Sequence, residues 1–356
     1  MMPDSALSRP RYQGLSAARR WEHDPALPRA EFSLAAGDRI GELTIIGHLA
    51  CGRATELYQV WSNKHWCALT GKITSPAHLG NGTPASFQME ARVLAKLQHP
   101  NIVRYFGSGV AEGRPFLLLE YFAGPSLFDM LEGLPKRRLH VPDAIRATMH
   151  VGAAIHYLHR CGYLYRDLKP ANILLREGIP VLVDFDVVRR ITLRSRPSDR
   201  LGTAPYMAPE QIRKQALSAA TDVYGLGALL YELLTGHWPT EEPRDEDEDD
   251  WDDEDWDDDP PPRPVSSDRA ERTMRTGELV TRYPQLTRPP VPPRQHNPQV
   301  NGELEKVILR CLDRDPSQRF QTVSGLLAAL APLLKGRYKL WPDGAPIERR
   351  ADTESR

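Results

Sequence analysis

The sequence contains few cysteines, and their positions exclude two common kinds of small protein. The four cysteines lie far apart, at positions 51, 67, 161 and 311, without a C-x-x-C pair. Disulfide-rich folds and zinc ribbons require closely spaced cysteines. The spacing is typical of a protein in a reducing compartment and predicts a cytoplasmic location.

Long apolar segments are also missing. No apolar run reaches the roughly 18 to 20 residues that a helix needs to span a bilayer. The N-terminus has no basic segment followed by an apolar core. The sequence therefore predicts a soluble protein without a membrane partner. At 356 residues, the chain is long enough for two lobes or for one large domain with additional segments.

The formal charge of −1 hides a strong asymmetry along the chain. Residues 241–259 hold 15 of the 47 acidic residues and one basic residue, Arg244, so the remainder is basic. A basic surface attracts phosphates, nucleic acid or the acidic tract itself, and the charge alone does not decide among them. Three interpretations of the tract remain open: it binds a basic partner, it inhibits a basic cleft in the rest of the chain, or it is a solvated loop.

Composition divides the chain into a leader, a folded part and a tail. Residues 1–38 are rich in Pro, Ser, Ala and Arg without periodicity, and we expect a flexible leader there. The folded part covers residues 39–334, and residues 335–356 form a C-terminal tail. The acidic run and the ten prolines that follow it predict a disordered insertion over residues 241–300.

The first third of the folded part has the pattern of a small antiparallel sheet. Short apolar runs broken by Gly, Asn and Ser are typical of strands, and they occupy residues 43–46, 56–61, 66–73 and 116–119. One helix interrupts them. Its apolar face includes Leu94, and Glu90 lies on the same side, which favours an inward position for this carboxylate.

After Gly124 the apolar spacing becomes helical. Val151, Ile155 and Leu158 lie on one face of a helix, and residues 304–312 repeat the pattern with Cys311 on the apolar side. We therefore expect a mainly helical second part, with Cys311 in its core.

The strongest local signal is the run YRDLKPAN at residues 165–172, followed by DFD at residues 184–186. Two apolar runs separate them, so a hairpin would bring Asp167, Asn172 and Asp184 to one end of a sheet. Amide and carboxylate oxygens suit Mg²⁺. Asp167 can accept a hydroxyl proton, and Lys169 can neutralise charge on a transferred phosphoryl group. The pattern indicates phosphoryl-transfer chemistry.

These motifs closely resemble those of the protein kinase family, which has H-R-D-x-x-x-x-N, D-F-G and A-P-E in this order. The sequence APE at residues 208–210 follows Gly202-Thr203, and DVYGLG begins at Asp222. The resemblance covers roughly residues 40–334, apart from the insertion. It implies an α+β bilobal fold, with a small antiparallel sheet and one helix in the N-lobe (39–120) and a mainly helical C-lobe (124–334).

The resemblance also implies roles for individual residues. Asp167 and Lys169 would be catalytic, and Asn172 and Asp184 would hold the metal. Lys72 would bind the α- and β-phosphates with Glu90 as its partner. The remaining nucleotide-binding positions, at the loop, the adenine pocket and the hinge, are Gly52, Leu49, Leu57, Thr70, Glu120, Phe122 and Leu174. Leu119 would be the gatekeeper. Glu210 would pair with Arg319 to support the peptide-binding region.

The sequence departs from the family pattern on the nucleotide side. The loop reads LACGRATEL, so only Gly52 remains of G-x-G-x-x-G, and a β-branched Thr55 should stiffen or lift it. Tyr165 replaces His, which is a mild change because an aromatic ring still packs there. Asp186 replaces the Gly of D-F-G; Asp tolerates a positive φ at a modest cost. An extra carboxylate can weaken or strengthen Mg²⁺ binding, and the sequence does not give the sign.

The segment between Asp184 and Glu210 carries five arginines and several hydroxyls. In the family, the arginine that precedes the catalytic aspartate anchors a phosphorylated activation loop. The resemblance assigns this role to Arg166 and makes Ser195 and Ser198 candidate phosphorylation sites. Thr203 is expected to orient Asp167 and Lys169 instead of accepting phosphate.

The resemblance implies a serine/threonine protein kinase similar to bacterial members. ATP and Mg²⁺ would be its cofactors, with Mn²⁺ as an alternative ion, and proteins its substrates; nucleic acid is not expected as a partner. Two other functions remain open: a catalytically weak or inactive pseudokinase that acts as a scaffold, and a small-molecule phosphotransferase. The APE and Gly-Thr-x-x-Tyr segments favour the protein kinase over the latter.

Overall fold

The structure is a computed structural model that describes residues 32–52, 54–81, 85–191, 202–241, 279 and 282–334. Within these ranges, an N-terminal sheet with one helix is followed by a mainly helical lobe. This confirms the predicted α+β bilobal fold.

The N-lobe contains a six-stranded antiparallel sheet in the order β1-β2-β3-β4-β6-β5. Its elements in chain order are β1 (Arg39–Ile40), β2 (Leu43–Cys51), β3 (Thr55–Ser62), β4 (Cys67–Thr74), helix α1 (Ala85–Leu94), β5 (Tyr105–Ala111) and β6 (Arg114–Glu120). The four predicted strands correspond to β2, β3, β4 and β6. β5 was missed because its sequence, YFGSGVA, contains two glycines, which disfavour strands.

The two faces of this sheet have different partners. One face forms a small apolar core around Tyr58, Val60 and Leu69. Helix α1 belongs to the second, larger core, which continues into the C-lobe through residues such as Leu94 and Leu117. This continuity places Glu90 of α1, which is fully buried, next to the C-lobe.

The C-lobe is built around two long helices with many buried residues, Val141–Arg160 and Ala219–Thr235. Its helices are α2 (Leu127–Glu132), α3 (Val141–Arg160), α4 (Pro209–Ile212), α5 (Ala219–Thr235), α6 (Pro293–His296), α7 (Gly302–Cys311) and α8 (Val323–Leu330). The short strands β7 (Tyr163–Leu164) and β10 (Arg189–Arg190) pair, and β8 (Ile173–Arg176) forms a hairpin with β9 (Ile179–Leu182). The predicted helices are α3 and α7, and Cys311 is buried as expected. No helix within the described ranges is long and apolar enough to cross a membrane.

Helix α5 is buried along almost its entire length. It begins at the N-cap Ser218, whose side chain accepts a hydrogen bond from the Ala220 N–H. It ends at Gly236, which adopts a left-handed conformation with φ +79°. A Cβ at Gly236 would lie 2.4 Å from the Lys136 carbonyl oxygen, so this turn needs glycine for its space as well as its φ.

Part of the predicted disordered insertion is folded, so the expectation is wrong for residues 282–300. Tyr283 is 1% exposed and packs with Met207. The Gln285 amide donates to the Ala204 and Met207 carbonyl oxygens at 2.6 and 3.2 Å. Asn297 donates to the Leu234 carbonyl at 2.7 Å. Prolines are compatible with this packing because several begin helical turns, where no backbone N–H is required.

The end of the predicted leader is also ordered. Residues 32–38 lie against the N-lobe, where Phe32 stacks on His48 and the Ser33 hydroxyl donates to buried Glu56 at 2.6 Å. The polar contacts explain why an apolar pattern did not reveal this segment. Residues 1–31, the tail 335–356 and most of the insertion, with the acidic tract from residue 242 onward, lie outside the described residues.

A buried ion pair connects α4 to the loop after α7. Arg319 is 1% exposed and donates to both oxygens of the Glu210 carboxylate, at 2.8 and 2.9 Å. The Thr221 hydroxyl donates to the same carboxylate at 2.9 Å. The pairing implied by the family resemblance is therefore confirmed. Because the Arg319 guanidinium is buried, water could not take the place of the Glu210 carboxylate if that carboxylate were removed.

Glu210→Gln is expected to lower the free energy of unfolding by about 3 to 5 kcal/mol, since it leaves a buried guanidinium without a counter-charge. Urea denaturation measures this quantity. Glu303→Gln is the matched control, because Glu303 forms an exposed pair with Lys306 and its loss should cost less than about 1 kcal/mol. Equal effects of the two changes would contradict the structural importance of the buried pair.

Candidate active site

The loop of residues 164–172 is held from behind by a buried carboxylate of α5. Asp222, which is 1% exposed, accepts hydrogen bonds from the backbone N–H groups of Tyr165 and Arg166 at 2.9 and 2.8 Å. It also lies 2.7 Å from His159 Nε2. Arg166 takes a φ of +77°, which is strained for a residue with a side chain. These contacts hold the strained backbone that carries Asp167.

Asp167 accepts hydrogen bonds at both carboxylate oxygens. Oδ1 accepts from the N–H and the hydroxyl of Thr203, both at 2.9 Å, and Oδ2 accepts from the Asn172 amide at 2.9 Å. Lys169 Nζ lies 3.3 Å from Oδ2 and donates to the Thr203 hydroxyl at 3.0 Å. Burial opposes ionisation, but the Lys169 ammonium and these hydrogen bonds outweigh it and hold the pKa of Asp167 below its usual range.

The β8–β9 hairpin brings Asn172 and Asp184 to one end, as the sequence predicts. Asn172 precedes β8, and the Val183 N–H donates to its carbonyl oxygen at 2.9 Å. Its amide nitrogen donates to the backbone and side chain of Asp167, so its side-chain oxygen is the atom that can bind a cation. Asp184 adopts φ +60°, and its carboxylate is 39% exposed.

Lys72 lies in β4 among three carboxylates. Its Nζ atom is 2.8 Å from Glu90, 3.3 Å from Asp184 and 2.7 Å from Asp186. Burial disfavours the charged lysine, but the surrounding carboxylates raise the pKa of Lys72 well above its usual range. Burial raises the pKa of Glu90 as well, and the negative charge of Asp186 adds to this effect. The predicted Lys72–Glu90 pair therefore forms, together with a contact to Asp186 that was not predicted.

The sequence predicts a positive φ at Asp186, and the structure does not show it. The residue with positive φ in this turn is Asp184, whereas Asp186 stays outside the left-handed region. The replacement of glycine therefore needs no strained backbone at position 186. Its consequence is electrostatic, since the new carboxylate points at Lys72.

The nucleotide loop is a short turn between β2 and β3. Leu49 and Leu57 are half-buried in these strands, and Leu57 lies directly opposite Lys72 in the register of β3 and β4. The Gly52 N–H donates to the Thr55 carbonyl at 2.9 Å, and a Cβ at Gly52 would lie 3.3 Å from the same oxygen. Thr55 is the first residue of β3, and its expected effect on the loop stays a prediction.

The predicted hinge begins at Glu120, the last residue of β6, which pairs with β4. Thr70 pairs with Leu119 in the strand register, and the Thr70 hydroxyl donates to the Glu120 carbonyl at 3.2 Å. The Glu120 N–H is bonded to the Arg104 carbonyl at 2.9 Å. The Arg176 guanidinium lies 5.6 Å from the Phe122 ring centroid. Leu174 is half-buried in β8, on the C-lobe side.

The activation segment is described only at its two ends. Arg166 donates to the Val187 carbonyl at 3.2 Å, next to the start of the segment. Ser195 and Ser198, the candidate phosphorylation sites, lie outside the described residues. Thr203 contacts both Asp167 and Lys169, in agreement with an orienting role.

Sequence reasoning missed a second support of this region. Tyr206, three residues after Thr203, donates a hydrogen bond to buried Glu232 of α5 at 2.6 Å. Burial raises the pKa of Glu232 to about 7. A lone glutamate on an apolar helix is the only sequence signal for this contact. In the folded protein, the neutral form of Glu232 is therefore favoured over a wider pH range than in the unfolded chain.

Glu232 should make the protein less stable as the pH rises towards 7. Its folded pKa lies above its unfolded value, so its contribution is complete below about pH 4.5, falls progressively as the pH rises, and is lost above about pH 7. Glu232→Gln should remove up to about 3 kcal/mol of the difference in unfolding free energy between pH 5 and pH 8. Urea denaturation at both pH values tests this. An unchanged pH dependence in the variant would contradict the assignment.

Comparison with known proteins agrees with this geometry. Residues 42–329 match the protein kinase domain, so the chain belongs to the protein kinase family. The serine/threonine-protein kinase PknB of Mycobacterium leprae is 30% identical over 259 residues, which are 70% of this chain and 36% of that protein. PknB of Mycobacterium tuberculosis is 31% identical over 264 residues, with the same two shares. The chain thus spans about a third of the length of these relatives.

A solved structure shows the same fold. The crystal structure of the Mycobacterium tuberculosis PknI kinase domain superposes with a TM-score of 0.58 at 23% sequence identity, and the alignment covers 84% of this chain and 99% of that chain. At this identity the likeness concerns the fold alone.

Proposed function

We propose that the protein is a serine/threonine protein kinase that transfers the γ-phosphoryl group of ATP to protein hydroxyls. The observation that carries the proposal is the convergence of Lys72 from the N-lobe sheet with Asp184 from the C-lobe hairpin, beside an ionised Asp167. Burial raises the pKa of Asp184, and although the Lys72 ammonium opposes this, the negative charges of Asp186 and then Asp167 add to the increase. The acceptor-binding and phosphate-binding groups therefore share one site.

The residues present fit ATP and a divalent cation. Oxygen donors are available from Asn172 and Asp184, and such donors suit Mg²⁺ or Mn²⁺. A bound cation would neutralise charge on the phosphates. Lys72 would bind the α- and β-phosphates, while Leu49, Leu57 and Leu174 would enclose the adenine.

The chemistry on the acceptor side follows from the contacts of Asp167. As an ionised carboxylate it can accept a hydrogen bond from a serine or threonine hydroxyl and orient the oxygen towards the γ-phosphorus. The bond from this oxygen to phosphorus forms while the bond to the β-phosphate oxygen breaks, and the proton passes to Asp167. Lys169 would stabilise the negative charge of the transferred group.

The proposal is tested with radiolabelled ATP and a generic protein substrate in the presence of Mg²⁺ or Mn²⁺. Asp167→Asn removes the proton acceptor and should lower kcat by about 100-fold or more. Asp143→Asn is the matched control, since it removes a charge from a surface pair with Arg146 and should retain activity. Equal inactivity of wild type and Asp167→Asn, despite a retained fold, would favour the scaffold function.

Autophosphorylation of the activation loop is part of this proposal. The arginine-rich composition of residues 189–200 and the position of Arg166 support it. Mass spectrometry of the wild-type protein and Asp167→Asn after the same reaction provides the readout, because phosphate on Ser195 or Ser198 should be present in the wild type alone.

The acidic tract at residues 241–259 offers a further partner site. Its high negative charge supports binding to a basic protein segment or to the basic surface of the kinase domain. Because nearly all of the tract lies outside the described residues, this partner rests on composition. The cytoplasmic location likewise stays a prediction.

A further inference from the structure

The side chain at position 186 contacts the lysine that would bind the nucleotide. Asp186 lies where the family motif D-F-G has glycine. Its Oδ1 atom is 2.7 Å from Lys72 Nζ, as close as the Glu90 carboxylate at 2.8 Å. Glycine has no group that can make this contact, so the contact is a property of this chain and not of the family motif.

The Lys72 ammonium already has a full set of acceptors. An ammonium group has three N–H donors. Three carboxylates lie within hydrogen-bonding distance of Lys72 Nζ, from Glu90, Asp184 and Asp186. A phosphate oxygen that binds Lys72 must therefore replace one of them.

Asp186 is the carboxylate that a phosphate can replace at the lowest cost. Glu90 is fully buried and also accepts the Phe185 N–H at 3.2 Å, so its release would leave a buried group without its partners. Asp184 accepts the Asp186 N–H at 3.3 Å, which helps to hold it in place. The Asp186 carboxylate is 41% exposed and can turn into water.

We propose that Asp186 lowers the affinity of the site for nucleotides, relative to adenosine, by competing with the nucleotide phosphates for Lys72. This inference rests on the proposed function, because it requires a nucleotide at Lys72. The competition weakens binding of ADP and ATP but leaves adenosine unaffected, since adenosine has no phosphate. The charge of Asp186 also repels the phosphates, most strongly when no divalent cation offsets their charge.

Binding of ADP and adenosine to the 356-residue chain, measured by calorimetry with EDTA and again with Mg²⁺, tests this inference. Asp186→Asn keeps the size of the side chain and removes its charge, and Asp186→Gly removes the side chain. Both should tighten ADP binding in EDTA by about fivefold, the upper range for a partly exposed ion pair. A smaller gain is expected with Mg²⁺. Adenosine affinity should not change, and Asp143→Asn should resemble the wild type with both ligands.

Three results would overturn the inference. An unchanged ADP affinity in EDTA would show that Asp186 does not compete for Lys72. Weaker ADP binding only with Mg²⁺ would show that Asp186 holds the cation instead. An equal gain for ADP and adenosine would indicate a general change of the pocket. In all three cases, binding of both ligands to the wild type would leave the proposed function intact. If the wild type and both variants bound neither ligand, the proposed function would fail together with this inference.

Discussion

The loop that carries Asp167 depends on one buried carboxylate, that of Asp222. Two consecutive N–H groups, of Tyr165 and Arg166, donate to this carboxylate, and Arg166 adopts a left-handed conformation at the same point of the loop. An exposed acceptor would compete with water and would not compensate for this strain. Helix α5 is almost completely buried, so Asp222 has little freedom to move. The position of Asp167 thus depends on the packing of the helix that lies behind its loop.

In the N-lobe, the side chains around Lys72 are held by pairing of opposite charges, whereas the loop of Asp167 is held by the packing of a helix. Lys72 and Glu90 are both nearly inaccessible to water, and neither charge could be buried alone. Glu90 also accepts the Phe185 N–H, which connects α1 to the turn that carries Asp184. The position of the N-lobe helix and the position of the turn that carries Asp184 are therefore coupled through one carboxylate.

How much the sequence predicts depends on the range of the interactions involved. The spacing of α3 and α7 and the inward position of Glu90 follow from local periodicity, and the structure agrees with them. The packing of residues 282–300 does not follow from composition, because the Gln285 amide donates to carbonyl groups 81 and 78 positions earlier in the chain. Position 186 shows the same limit: the sequence reveals that glycine is lost, but the direction of the new carboxylate depends on Lys72, 114 residues earlier.

The departures from the family pattern are not spread evenly over the site. Thr55 and Asp186 both lie on the side that would face the nucleotide, and there the Thr70 hydroxyl donates to the Glu120 carbonyl of the predicted hinge. On the acceptor side, every side-chain group expected around Asp167 is present and hydrogen-bonded. Under the proposed function, Lys72 and Asp186 would act on the nucleotide phosphates and Asp167 on the acceptor hydroxyl, so a change at Asp186 need not alter the acceptor side. Under the proposed function, departures confined to the nucleotide side would change the affinity for the nucleotide more than the rate of phosphoryl transfer once the nucleotide is bound.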